Sequence, residues 1–361
     1  MSDLQKPQGI KEIAKLAEVS IGTVDRVIHD RPGVSAKTKE RVKKIIEEVG
    51  YDPNPLARRL AGFKNVYKVA VIIPAKNEYN PYWNQHLSGI EQAKKLVGQF
   101  GIQVDTVFYD QRSEESFGKV TTQFFEDGYH AAVLTPLFQK RSEFFAEECN
   151  SRSIPVVCID TQLDNESILS FIGQNSYESG FLAGKLASWK LQPEQIAIIC
   201  HVTRFENLPN NFTRREQGFR DYLVKEHGHS ADNIKTLFVK ADNPDLAKDE
   251  IQHALISNQN TGALFIPNTR SFMVVPHLTS EQKKQVFTIG YDLVDENIQQ
   301  LRENAIDVLI SQKPEEQCYK GIEFVYKKII AHTNPEGAFN IPIDIILKEN
   351  IDYYLEENRR L

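Results

Sequence analysis

At 361 residues and 41% hydrophobic content, the chain is long enough for two or three folding units with large cores. Its net charge of −6 is uneven: residues 1–64 carry 13 Lys plus Arg against 9 Asp plus Glu (net +4), leaving 30 against 40 (net −10) for residues 65–361, which suits a basic head touching DNA and an acidic body. No stretch approaches the roughly 20 apolar residues of a membrane span, and MSDLQKPQGI lacks a signal-peptide run, so a cytoplasmic protein is expected; Cys149, Cys158, Cys200 and Cys318 lie too far apart for a zinc site or disulfide framework.

Residues 10–29, IKEIAKLAEVSIGTVDRVIH, predict two short helices joined by a tight turn, a helix-turn-helix. Ile10, Ile13, Ala14 and Ala17 share one helical face, and Val24, Val27 and Ile28 give the second helix a matching stripe. Glu18, Val19 and Ser20 make the turn, with Val19 as an apolar plug and Ser20 as N-cap. The exposed start of the second helix (Ile21, Gly22, Thr23), with Arg26, is then the part able to enter a major groove. A short helical hairpin with a capped second helix also occurs in ordinary helical cores.

Ser35 caps a third predicted helix whose Val42, Ile45, Ile46 and Val49 complete a small core, and Gly50 stands where a left-handed C-cap belongs. Asp52-Pro53-Asn54-Pro55 stops it. Leu56 to Gly62, LARRLAG, is then an isolated helix of about two turns, too short to be stable alone in water.

Beyond residue 65 short β-branched runs alternate with amphipathic segments. Strands are predicted at 66–74, 102–110, 131–136, 154–160, 170–173, 196–203, 234–241, 262–268, 286–292 and 308–314. Helices are predicted at 83–99, 115–127, 140–152, 176–190, 213–227, 244–257 and 314–332. That rhythm implies two doubly wound parallel sheets, hence two lobes and a cleft, with ligands expected beyond the carboxyl ends of strands. Those ends are polar: NEYNPYW (77–83), Asp160-Thr161, Gln174-Asn175, Arg214-Arg215, Asn268-Thr269, Asp292 and Gln312. Carboxylates, amides and a guanidinium beside aromatics are what a sugar site uses, since hydroxyls need polar partners and the CH faces of the ring stack on aromatics. Each has a plainer use: Asn175 can cap the helix starting at Ser176, Asn268 and Asp292 can be loop or cap residues, and Tyr82 can be packing.

EIAKLAEVSIGTVDRVIH, GVSAKTKERVKKIIEEVGYDPNPLARRLAG and the two-lobed body together resemble the lac-repressor (LacI/GalR) family of bacterial transcription regulators, over essentially the whole chain. The resemblance implies an N-terminal all-α helix-turn-helix domain (1–53), a hinge helix (54–64) and an α/β periplasmic-binding-protein-like effector and dimerisation domain (65–361). Lobe 1 is expected at about 66–174 and 313–336, lobe 2 at about 175–312 and 337–361. It implies DNA contacts from Ser20, Ile21, Gly22, Thr23, Arg26, His29, Ala57, Arg58 and Leu60, with Leu60 matching a leucine wedged into the central base step. Similarity of the body to ribose-type periplasmic binding proteins implies effector contacts from Asn80, Tyr82, Trp83, Asp160, Asn175, Arg215, Asn268, Asp292 and Gln312.

Several positions depart from the family pattern. Asp25 replaces a small hydroxyl residue, where it could repel phosphate, accept from a cytosine amino group, or orient Arg26 or a nearby lysine. Gly22 offers no side chain to a base. Thr161 stands where an arginine often follows the aspartate, and Asn175 where an acid is common, which weakens ribose and leaves hexoses, phosphorylated sugars or nucleosides open. Arg214-Arg215 could equally serve an anionic ligand.

The expected function is a DNA-binding repressor that meets a palindromic operator as a homodimer and answers to a sugar-like effector. No cofactor, metal, membrane or catalytic residue is expected: GxGxxG after a strand, GxxxxGK[ST], HExxH and GxSxG are all missing. A cytoplasmic sugar-binding module without regulatory DNA binding and a glycoside-processing enzyme are the alternatives. The end IDIILKENIDYYLEENRRL has no leucine heptads, so a dimer and no tetramer is expected.

Overall fold

The structure, a computed structural model, describes residues 10–28, 31–49, 66–76, 81–203, 209–240, 244–258, 260–333 and 337–360. Two compact units divide the chain, one comprising residues 1–66 and the turn at 99–101, the other the remainder.

In the first unit helices α1 (Ile10–Leu16), α2 (Ile21–Ile28) and α3 (Ala36–Val49) enclose Ile13, Ala14, Ala17, Val24, Val27 and Val42. The apolar spacing read from the sequence is therefore the buried face. Glu18 takes the left-handed conformation (φ 50°), and the Val19 amide reaches back to the Ala14 carbonyl at 3.0 Å, which closes the helix end. Ser20 Oγ accepts from the Thr23 amide at 3.1 Å, and Ser35 Oγ repeats the cap with the Thr38 amide at 3.2 Å.

The second unit holds two six-stranded sheets. The first is built from β1 (Tyr67–Pro74), β2 (Ile102–Tyr109), β3 (Ala131–Leu134), β4 (Val156–Ile159) and β5 (Ser170–Gly173) with α4 (Tyr82–Gly98), α5 (Glu114–Glu126) and α6 (Gln139–Ser151). The second takes α7 (Ser176–Ser188), β6 (Ile196–Thr203), α8 (Asn210–Asp221), β7 (Ile234–Lys240), α9 (Pro244–Ser257), β8 (Thr261–Phe265), the short α10 (Ser271–Val274) and α11 (Gln282–Gln285), β9 (Phe287–Tyr291), α12 (Asp295–Arg302) and β10 (Val308–Ser311). The chain then returns through α13 (Pro314–Ile329) and β11 (Ala338–Asn340), crosses to β12 (Asp344–Ile346) and ends in α14 (Ile351–Arg360). The strand orders are β11-β5-β4-β3-β1-β2 and β12-β10-β9-β8-β6-β7. Among the described residues the strands pair in parallel except β12 on β10, an antiparallel edge that the sequence does not predict.

Two of the boundaries that differ from expectation bear on the site. The final return to lobe 2, expected at 337, comes after Asn340, because β11 still pairs with β5 in the first sheet. Helix α8 begins at Asn210 instead of 213, which puts Arg214 and Arg215 in its second turn. All four cysteines are buried, and burial pushes the Cys149 and Cys200 thiols up to about 12, which makes them unreactive core groups.

Each lobe contains a helix pair packed through glycine. A Cβ on Gly89 of α4 would lie 1.8 Å from the Glu315 carbonyl oxygen of α13. Cβ atoms on Gly180 of α7 and Gly218 of α8 would lie 1.9 Å from the Arg215 carbonyl and 2.0 Å from the Tyr177 carbonyl. Backbone-to-backbone approach this close admits only hydrogen at those positions, and it sets the depth at which α8 carries Arg215. Gly180→Ala is expected to destabilise the chain by about 1–3 kcal/mol through overpacking. Gly118→Ala, in a helix where an added Cβ meets nothing within 4 Å, should be neutral or stabilising. Thermal denaturation compares the two, and equal melting temperatures would refute the close-packing account.

Candidate functional site

The first candidate surface is α2 of the head. Val24 and Val27 are buried beneath it, while Ser20, Ile21, Gly22 and Arg26 are exposed and Thr23 is half-buried. A Cβ on Gly22 would meet only Ser20 Oγ, at 3.8 Å, so packing does not demand glycine there; its effect is to leave the start of the helix open to close approach. Asp25 forms an ion pair with Arg31 at 3.2 Å. Its carboxylate thus reaches the loop after α2, and with both groups exposed the pair adds little stability. His29, Ala57, Arg58 and Leu60 lie outside the described residues, as does the whole expected hinge.

The second candidate lies in the body, where loops from both sheets face each other. Asp160 follows β4 and Asp292 follows β9, and both take positive φ (65° and 68°), rare for a residue other than glycine and a form of strain that concentrates at functional sites. Tyr82 donates to Asp160 Oδ1 at 2.7 Å and Thr161 to Oδ2 at 3.0 Å. Thr269 donates to Asp292 Oδ2 at 2.6 Å, and Gln312 Nε2 to both oxygens at 2.9 and 2.8 Å. Arg215 donates to the Gln312 side-chain oxygen and, at 2.9 Å, to the Pro267 carbonyl, while its guanidinium lies 4.1 Å over the Tyr291 ring. Asn268 Nδ2 donates to the Val202 carbonyl at 3.0 Å, and Trp83 Nε1 to Gln111 at 3.2 Å.

Tyr82, Trp83, Gln111, Asp160, Arg215, Asn268, Thr269 and Gln312 border one cavity, lined also by Leu137, Pro209, Asn211, Phe212 and Arg270, with a volume of about 40 Å³. That is room for a few waters, far below the roughly 300 Å³ at which small-molecule pockets begin. A sugar ring therefore enters only if the lobes part or side chains swing aside.

Burial dominates the electrostatics. It raises Asp160, with the Tyr82 hydrogen bond opposing, and pushes Asp292 up to about 7 against the opposing bonds from Thr269 and Gln312 and the charge of Arg215. Burial also lowers His86 to about 3, leaving a neutral imidazole packed 4.9 Å from the Tyr82 and Trp83 rings.

Of the expected effector residues, the structure gathers Tyr82, Trp83, Asp160, Arg215, Asn268 and Gln312 around the cavity, with Asp292 directly behind Gln312. Asn175 is not among them. It is exposed and caps α7, its side chain accepting from the Glu178 amide at 3.2 Å, so the plainer use is the one adopted. Asn80 lies outside the described residues. Gln111, Asn211, Thr269 and Arg270 line the cavity without having been singled out as contacts, and Gln317 supports it from α13, its amide donating to the Gln312 carbonyl at 2.9 Å and its oxygen accepting from the Asp160 amide at 2.7 Å. Thr269 was legible as a strand-end polar residue; Gln317 was not, because its contacts span the lobes.

Comparison with known proteins matches residues 69–332 to the periplasmic binding protein domain and residues 9–54 to the bacterial regulatory proteins, lacI family. The HTH-type transcriptional regulator DegA of Bacillus subtilis (strain 168) is 32% identical over 150 residues, 42% of this chain and 43% of that protein, so the match spans less than half of its length. The sucrose operon repressor of Lactococcus lactis subsp. lactis is 24% identical over 287 residues, 78% of this chain and 82% of that protein. A crystal structure from Bacteroides fragilis assigned to the LacI transcriptional regulators superposes with a TM-score of 0.72 at 27% identity, covering 80% of this chain and all (100%) of that one.

The raised Asp292 carboxyl has a consequence for stability. In the unfolded chain it titrates near 3.9, whereas the fold holds its proton up to about 7. Its stabilising contribution is thus fully present below about pH 4 and is lost as pH rises through about 7. Between about pH 5 and about pH 8, the melting temperature of the wild type should fall relative to that of Asp292→Asn. Parallel calorimetric profiles would show that the carboxyl is not perturbed.

Proposed function

We propose, on the premise that this chain belongs to the lacI family of bacterial regulatory proteins and carries a periplasmic binding protein domain, that it is a DNA-binding transcriptional regulator, a repressor, whose operator affinity is set by a small hydroxylated effector in the cleft between its lobes. One observation carries this reading: a single chain joins a helix-turn-helix whose second helix leaves Ser20, Ile21, Gly22 and Arg26 exposed to a two-lobed domain whose buried polar groups converge on one cavity. The first reads duplex edges and phosphates, and the second senses a metabolite.

The proposed mechanism is linkage. An effector that prefers one separation of the lobes shifts their equilibrium, and a head whose duplex affinity differs between the two states feels that shift. Two heads on one palindrome multiply a weak single contact, so the functional unit is a homodimer. Contact with DNA places the protein in the cytoplasm. The reading carries no reaction step, in keeping with similarity to the sucrose operon repressor, a regulator by name.

Selection of randomised duplexes by the full-length protein tests the reading. A two-fold symmetric sequence should be enriched, and Arg26→Ala should weaken its binding by about 1–3 kcal/mol. Absence of any sequence enrichment would overturn the regulatory role. Leu60→Ala should lower affinity for the enriched sequence while sparing salt-dependent non-specific binding; equal loss of both in a salt titration would rule out a wedge.

A further inference from the structure

The chain makes its second passage between the sheets at Gln312 and Lys313, after β10 of the second sheet and before α13, whose Cys318, Ile322 and Val325 pack into the core of the first. Lys313 lies there in the left-handed region, φ 50° and ψ 59°, as an N-cap residue that gives α13 no side-chain cap. That conformation is unfavourable for a residue with a Cβ, and neither glycine nor asparagine stands at the position. It persists only where the surroundings impose it, and strain of this kind gathers at switch regions.

The surroundings are charged and come from both lobes. Lys313 Nζ lies 2.7 Å from Asp344 Oδ2, on β12 of the second sheet, and 3.9 Å from Glu316 Oε2, in the first turn of α13. The side chains of Lys313, Asp344 and Glu316 are 21%, 27% and 36% exposed, so solvent and salt screen them less than a fully exposed pair. The two pairings differ in what they ask of the fold. Asp344 is reached across the hinge, so that bond is kept only at the present separation of the lobes. Glu316 belongs to the helix that Lys313 opens, so that bond is open to the lysine at any separation.

We propose that Lys313 is a hinge switch, its ammonium shared between a carboxylate of each lobe, and that the choice between Asp344 and Glu316 sets the resting separation of the lobes. Gln312, the preceding residue, donates to both oxygens of Asp292 and accepts from Arg215, so a turn of the backbone at 312–313 moves the groups of the cleft. A cavity of about 500 Å³ beside the three charges, walled by Ser88 and Gln92 of α4 and by Tyr354 of α14, gives the lysine stem room to swing. The uncharged Gln174 still holds the Ser311 and Pro342 carbonyls when the ion pair is lost, so the passages stay tied while the preference changes. The switch says how the chain is poised before any effector arrives, and it rests on the regulatory reading only for the link from lobes to duplex.

Single-molecule energy transfer on the full-length protein tests it, with dyes on Lys119→Cys of α5 and Lys284→Cys of α11, exposed positions in lobe 1 and lobe 2. The native cysteines are buried and stay unlabelled, and dilution into unlabelled protein confines the readout to distances within one chain. Asp344→Asn should raise the population of a second lobe separation about two- to fivefold, and Glu316→Gln added to it should bring that population back down. On a Lys313→Met background neither acid substitution should have an effect. No rise with Asp344→Asn, a rise that Glu316→Gln leaves in place, or a response that persists without the Lys313 ammonium overturns the inference. Populations that shift as expected while affinity for the enriched duplex stays constant leave the hinge switch standing and count against the linkage to DNA.

Discussion

Three ionisable groups held out of water in one cleft set the terms for the rest of the body. Arg215, Asp160 and Asp292 are each at least nine-tenths buried, and burial at that depth penalises charge unless hydrogen bonds or counter-charges offset it. Tyr82, Thr161, Thr269 and Gln312 supply those bonds to the acids, and Gln312 is shared between Asp292 and Arg215. On the proposed reading these are also the groups a ligand would need, and binding would then be an exchange of partners.

The backbone holds this arrangement by close approach and by bridging amides. Glycines at 180 and 218 let α7 and α8 meet main chain to main chain, which fixes where Arg215 emerges. The chain passes between the sheets three times, near residues 174, 312 and 342. Gln174 donates to the Ser311 and Pro342 carbonyls at 2.6 and 3.0 Å, tying all three passages together. Gln317 joins the Asp160 amide to the Gln312 carbonyl. A change in lobe separation must therefore act on the same bonds that orient the site, and that gives ligand and conformation a common energetic origin.

Much of this was legible in the sequence, for identifiable reasons. Short β-branched runs and 3.6-residue stripes mark all ten of the expected strands and most of the long helices, and Ser20 and Ser35 announce their helices by cap chemistry. Predicted strands ran a few residues long, as at 262–268 against Thr261–Phe265, because apolar character continues into the turn. The three-residue β11 and β12 are too short for any periodicity to show. Asn175 misled because position after a strand does not say whether a side chain turns to a ligand or back to its own helix; that depends on the path of the next few residues. Arg270 and Asn211 were missed since each enters the cavity from the start of a helix whose onset the sequence does not locate. The Asp25–Arg31 pair needed the loop geometry between α2 and α3.

Coupling between the cleft and the head is the central claim, and a closed thermodynamic cycle measures it most directly. Operator affinity is determined with and without saturating effector, and effector affinity with and without saturating operator duplex, at one salt concentration. The account predicts that the two ratios are equal and differ from unity by about fivefold or more. Operator affinity unchanged by an effector that demonstrably fills the cleft would contradict it.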